Sequence, residues 1–172
     1  MKLNFSIIFL VSTILFILII FFIGLKTNNV YDTKNQIGKK VSSFELISIK
    51  DKKTFNENDL KENNFTLINF WASWCLPCVQ ENSFLLELKN DYNLKILGIS
   101  YKDKKKNTLK FLNQYGNPYY FISSDSLGKL SIDFGIYGVP ESILVDKNLN
   151  ILKKFIGPLG KEDILEILKI IN

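Results

Sequence analysis

Both cysteines of this 172-residue chain fall in one stretch, Trp71-Ala72-Ser73-Trp74-Cys75-Leu76-Pro77-Cys78, directly after the apolar run Phe65-Thr66-Leu67-Ile68-Asn69-Phe70. A C-x-x-C pair set between a strand and a helix is an arrangement for thiol–disulfide exchange. Cys75 falls where the helix begins, so its sulfur faces unpaired backbone N–H groups and the positive end of the helix dipole, both of which favour the thiolate. Pro77 is tolerated one step further on, because a first-turn residue has no intrahelical partner for an N–H. Cys78 then lies almost one turn along, within disulfide reach, and Cys75 alone is expected to face solvent. A purely structural bridge is the weaker reading, since closing a loop of two intervening residues removes little chain entropy.

Composition excludes several other chemistries. The chain has no histidine, which removes a Cys–His protease, a His-ligated haem and a mixed Cys/His zinc site. Val79 stands where a haem-attachment motif needs histidine. Two cysteines are too few for a closed zinc site. A copper-carrying assembly factor would want wider cysteine spacing and a distant histidine. No metal and no cofactor are therefore expected. The net charge of +5 comes from lysine without any arginine, and no nucleic-acid recognition motif accompanies it, so no nucleic-acid partner is expected. The run Lys104-Lys105-Lys106 reads as a solvated connection.

The N-terminus begins Met1-Lys2, and residues 3–25 are apolar and uncharged apart from a few small polar positions. That length spans a bilayer as a helix. No small-x-small cleavage site follows it, so an uncleaved anchor is expected. Lys2 is countered by Lys26, Lys34, Lys39 and Lys40, and the positive-inside rule does not set the orientation. Residues 27–36 are polar and aperiodic, a short tether. The expected division is thus anchor and tether over 1–36 and one domain over 37–172, a length that supports a single sizeable core.

Within the domain, alternation over 41–49 and the turn Lys50-Asp51-Lys52-Lys53 predict a small hairpin towards Thr54-Phe55. A helical turn is expected at 58–61 and a central strand at 65–70. The helix after the cysteines buries Phe84, Leu85 and Leu88. A strand at 94–100, a helix at 108–115 and a strand at 119–122 make βαβ alternation, and hence parallel pairing. A short helix at 127–134 precedes an antiparallel hairpin, 141–146 with 151–156. Residues 161–171 close the domain as an amphipathic helix with Ile164, Leu165, Ile167 and Leu168 inward. The fold class is α/β: a mixed sheet flanked by helices, with an N-terminal hairpin and one transmembrane helix in front.

Trp-Cys-x-x-Cys after a strand, with Gly138-Val139-Pro140 far downstream, resembles the thioredoxin superfamily. Tyr101-Lys102-Asp103, Gly116-Asn117-Pro118-Tyr119 and Phe134-Gly135-Ile136-Tyr137-Gly138-Val139-Pro140-Glu141 narrow the likeness to the DsbE/CcmG family, membrane-anchored thiol–disulfide proteins of cytochrome c maturation. The likeness runs from about residue 37 to the C-terminus. It implies a thioredoxin-like fold and a cis bond before Pro140, with Val139 offering its backbone to an extended substrate and Pro140 packed against the sulfurs. Trp74 then belongs to the substrate face and Trp71 to the core.

Ordinary thioredoxins carry a buried aspartate before the Phe-Trp pair, and this chain has Asn69 there, which cannot ionise. Another acid must move protons for the resolving thiol. Glu81, three residues beyond Cys78, is the first candidate, and Glu141, beside Pro140, the second. The resemblance further implies a catalytic domain facing the periplasm from the inner membrane, reducing apocytochrome c or a cysteine-bearing haem-ligation component. A membrane thiol–disulfide electron donor would re-reduce Cys75 and Cys78. The competing reading is a general anchored thiol–disulfide reductase of the same fold, and a non-catalytic assembly factor is the weaker third.

Overall fold

The computed structural model describes residues 5–26 and 36–172. Two units emerge, Met1–Asp32 and Thr33–Asn172. In the first, helix α1 (Phe5–Lys26) has 22 residues, about 33 Å at 1.5 Å per residue. Its apolar side chains, from Ile7 to Ile23, are exposed all round, and Ser6–Gly24 is long and apolar enough to cross a membrane. The hydroxyls of Ser12 and Thr13 donate to the carbonyl of Phe9, which satisfies them within the helix. The tether expected at 27–36 lies, except for Gln36, outside the described residues.

The second unit holds a five-stranded sheet in the order β5-β4-β3-β6-β7. Its strands are β3 (Phe65–Trp71), β4 (Lys95–Tyr101), β5 (Phe121–Asp125), β6 (Glu141–Asp146) and β7 (Ile151–Ile156). β3 pairs parallel with β4, and β4 with β5, whereas β6 lies antiparallel to both β3 and β7. A separate hairpin, β1 (Glu45–Ile47) with β2 (Thr54–Asn56), precedes it. Single bridges tie Ser48 to Ser123 and Lys40 to Asn150, so chain from the N-terminal segment covers both outer strands of the sheet. Helices α2 (Leu76–Asn90), α3 (Lys105–Tyr115), α4 (Lys129–Asp133) and α5 (Lys161–Ile171) complete the unit.

β3 is buried on both faces, and its alternation divides the core in two. Leu67 and Trp71 join Ile96, Leu144 and the buried faces of α2, α3 and α5. Ile68 and Phe70 join Leu97, Ile99, Ile143, Val145 and the hairpin residues Leu46 and Phe55. On α2, Leu85 and Leu88 are buried and Phe84 packs partly against them.

Several expectations change. The first hairpin strand is Glu45–Ile47 within the alternating stretch 41–49, and α4 is Lys129–Asp133 within 127–134. The third strand runs Phe121–Asp125 rather than 119–122. Ser123 and Asp125 of its polar half are buried because Asp125 accepts from the backbone and hydroxyl of Ser131, and Ser123 donates to the carbonyl of Ile47. Helix α3 begins at Lys105, three residues earlier than the apolar pattern indicates, since a first turn needs no apolar side chain. Leu165 points outward, 60% exposed, while Ile164 and Ile167 fill the inward stripe of α5.

Candidate active site

β3 ends at Trp71 and delivers Cys75 to the N-cap of α2, with Pro77 in the first turn. Cys75 and Cys78 form a disulfide. The N–H of Cys78 donates to Cys75 Sγ at 3.2 Å, so a helix-terminal donor reaches that sulfur directly. In this oxidised form both cysteines are buried, at 4% and 2% exposure. The expectation that Cys75 alone faces solvent is therefore not met by the disulfide state, because the segment around Val139 closes over it. Cys75 Sγ lies 3.5 Å from the carbonyl of Val139, and the Val139–Pro140 bond is cis.

Trp71 is buried, stacked at 5.3 Å on Tyr119, whereas Trp74 is 59% exposed beside the disulfide. Trp74 Nε1 donates to the carbonyl of Lys102 at 3.4 Å, and the N–H of Ser73 to Asp103 Oδ2 at 2.7 Å. The Tyr101-Lys102-Asp103 turn thus braces the cysteine turn.

Below the disulfide, Gly98, Asn69 and Ser142 stand side by side across β4, β3 and β6, on the face that α2 covers. The amide of Asn69 donates to Glu81 Oε1 at 3.0 Å and to Ser142 Oγ at 2.9 Å, and its carbonyl accepts from the Tyr119 hydroxyl at 2.8 Å. Glu81 Oε2 accepts the N–H of Leu159 at 3.0 Å. Burial lifts the Glu81 carboxyl to about 7, against the pull of the Leu159 and Asn69 donors, with Asp163 adding to the rise. Burial, and then Glu81, hold the Tyr119 phenol well above its usual range, keeping it a donor. Glu81 can therefore gain or lose a proton near neutrality inside the fold.

Glu141 heads β6 on the opposite face from Glu81. Its Oε1 accepts the N–H groups of Tyr137 and Gly138, at 2.8 and 3.0 Å. Its Oε2 lies 3.0 Å from Nζ of Lys154, a wholly buried lysine of β7. The second candidate acid is thus held by two backbone donors at Oε1 and by the Lys154 charge beside Oε2. Lys154 escapes sequence reasoning, since a lysine in a strand ordinarily signals a solvent-facing position. Among the described residues no group of three potential metal ligands occurs.

This geometry joins strong likenesses to known proteins. The Redoxin family model matches residues 36–169. The DsbE thiol:disulfide interchange protein of Yersinia pestis is 35% identical over 138 residues, which cover 77% of this chain and 73% of that protein. The chain belongs to the Redoxin family, among its DsbE-type thiol:disulfide interchange proteins. The CycY thiol:disulfide interchange protein of Rhizobium leguminosarum is 50% identical over 97 residues, 56% of this chain and 52% of that protein. A crystal structure of a thioredoxin-family thiol:disulfide interchange protein from Chlorobium tepidum superposes with a TM-score of 0.65 at 25% identity, covering 76% of this chain and 94% of that one. The fold is thioredoxin-like, the chain is a thiol–disulfide oxidoreductase, and its Cys75–Cys78 disulfide fits a redox-active site.

Proposed function

We propose that this oxidoreductase is a single-pass inner-membrane protein, anchored and tethered by residues 1–36, whose domain over 37–172 faces the periplasm. There it reduces disulfides of apocytochrome c or of a cysteine-bearing haem-ligation component. The observation that carries the reading is the disulfide at the start of α2 with Glu81 buried behind it, in a chain related to DsbE proteins. Reduced Cys75, its thiolate favoured by the helix terminus, attacks a substrate disulfide and forms a mixed disulfide, releasing one substrate thiolate. Cys78 then attacks Cys75 Sγ, freeing the second substrate thiolate and closing the Cys75–Cys78 bond. Glu81, as carboxylate, takes the Cys78 proton for this second step. Trp74 and the backbone of Val139 form the substrate face, and Pro140 packs at the sulfurs. Two electrons leave with the product, so a membrane thiol–disulfide donor must restore the dithiol in an oxidising compartment.

Replacing Cys78 by serine removes the resolving thiol and leaves the attacked partner joined to Cys75. Acid quenching of cells carrying Cys78→Ser is expected to recover an apocytochrome c or a cysteine-bearing haem-attachment protein as a mixed disulfide. A trap filled with unrelated exported proteins would indicate a general reductase, and one holding cytoplasmic proteins would reverse the orientation.

A further inference from the structure

Lys154 is the one lysine among the described residues that is fully buried, at 3% exposure. Withdrawing an ammonium and a carboxylate from water is costly, and an apolar pair of similar volume often serves stability as well or better. The chemistry of the neighbouring backbone supplies a reason for the charges. Lys154 stands opposite Ile143 across β6 and β7, which makes Glu141, two residues before Ile143, its diagonal neighbour on the same face. Lys154 Nζ donates to the carbonyl of Gly135 as well as meeting Glu141 Oε2. Glu141 Oε1 holds the N–H groups of Tyr137 and Gly138. Two side chains thus hold three backbone groups of the segment 135–138, which no apolar pair could do.

That segment runs directly into Val139, whose carbonyl touches Cys75 Sγ. An extended polypeptide that reaches Cys75 must lie along it, whereas a small disulfide needs access to the sulfur alone. We infer that Lys154, through Glu141, is a positioning residue that sets the segment 135–139 for polypeptide disulfides and so selects them over small ones. This rests on the reading of Cys75 as the attacking thiol.

The test uses the full-length chain, reduced and held in detergent, in single-turnover reactions with an oxidised peptide carrying the two haem-attachment cysteines of a cytochrome c and with hydroxyethyl disulfide. Lys154→Met is expected to raise the peptide concentration for half-maximal rate about tenfold, the effect of losing one charge-assisted hydrogen bond. Its rate with hydroxyethyl disulfide should stay within about twofold of the parent. Lys154→Arg should restore peptide binding. If Lys154→Met fails to fold, Lys154→Gln, a neutral side chain that keeps a donor beside Glu141, should show a smaller selective loss of the same kind. Equal slowing with both disulfides, or no change with either, would overturn the inference. A Cys75→Ser protein that still reduced both would overturn the underlying reading instead, so the two failures are distinct.

Discussion

Glu81 is held between opposing demands. Desolvation favours its neutral form, while the N–H of Leu159 and the amide of Asn69 favour its charged form, and the balance falls at about 7. Because that value lies above 4.5, the folded state binds this proton more tightly than the unfolded chain. The resulting stabilisation is complete below about pH 4.5 and is lost as pH rises through about 7. Glu81→Gln cannot titrate, so its stability relative to the parent should improve from pH 4 to pH 8 by about 3 kcal/mol, read by urea denaturation at each pH. A difference that does not vary with pH would show an ordinary carboxyl. The same variant should reduce substrate disulfides about a hundredfold more slowly at pH 8, the lower range for a lost proton-transfer group. At this scale the cysteines and Glu81 are legible in sequence because they are set by local helix spacing. The work of Glu141 and Lys154 is not, since it depends on two strands pairing and on a loop folding back.

Among the elements, β4 shows how one side chain can govern a neighbouring network. A Cβ at Gly98 would lie 2.6 Å from the Tyr119 ring, and that ring carries the hydroxyl bonded to Asn69. Gly98→Ala is therefore expected to cost about 1–3 kcal/mol by overpacking, and to loosen the Asn69 contact that holds Glu81. Guanidinium unfolding measures the first effect. Unchanged stability would mean the sheet gives way without cost. Elements with a strong apolar period, such as β3, β4, the β6–β7 hairpin and α5, are readable from sequence within a residue or two. β5 is harder, because Ser123, Ser124 and Asp125 carry no apolar signal and two of them are buried through hydrogen bonds to Ile47 and Ser131. Leu165 shows the converse: an apolar residue at inward spacing lies at the edge of a stripe already filled by Ile164 and Ile167.

The whole molecule carries an apolar helix able to cross a membrane and a redox domain with a buried acid. Anchoring would concentrate the domain at the surface where its partners reside and raise encounter rates without any new contact. Lysines on both sides of the apolar run leave its orientation to be decided by the trapped partners. As proposed, the Cys75–Cys78 pair works as a reductant. Its most direct test is the reduction potential of the full-length chain in detergent, equilibrated against defined thiol–disulfide buffers. A reductant should give a value more negative than about −180 mV, on the side of glutaredoxins and thioredoxin. A value near about −120 mV, the range of a dedicated oxidant, would contradict it.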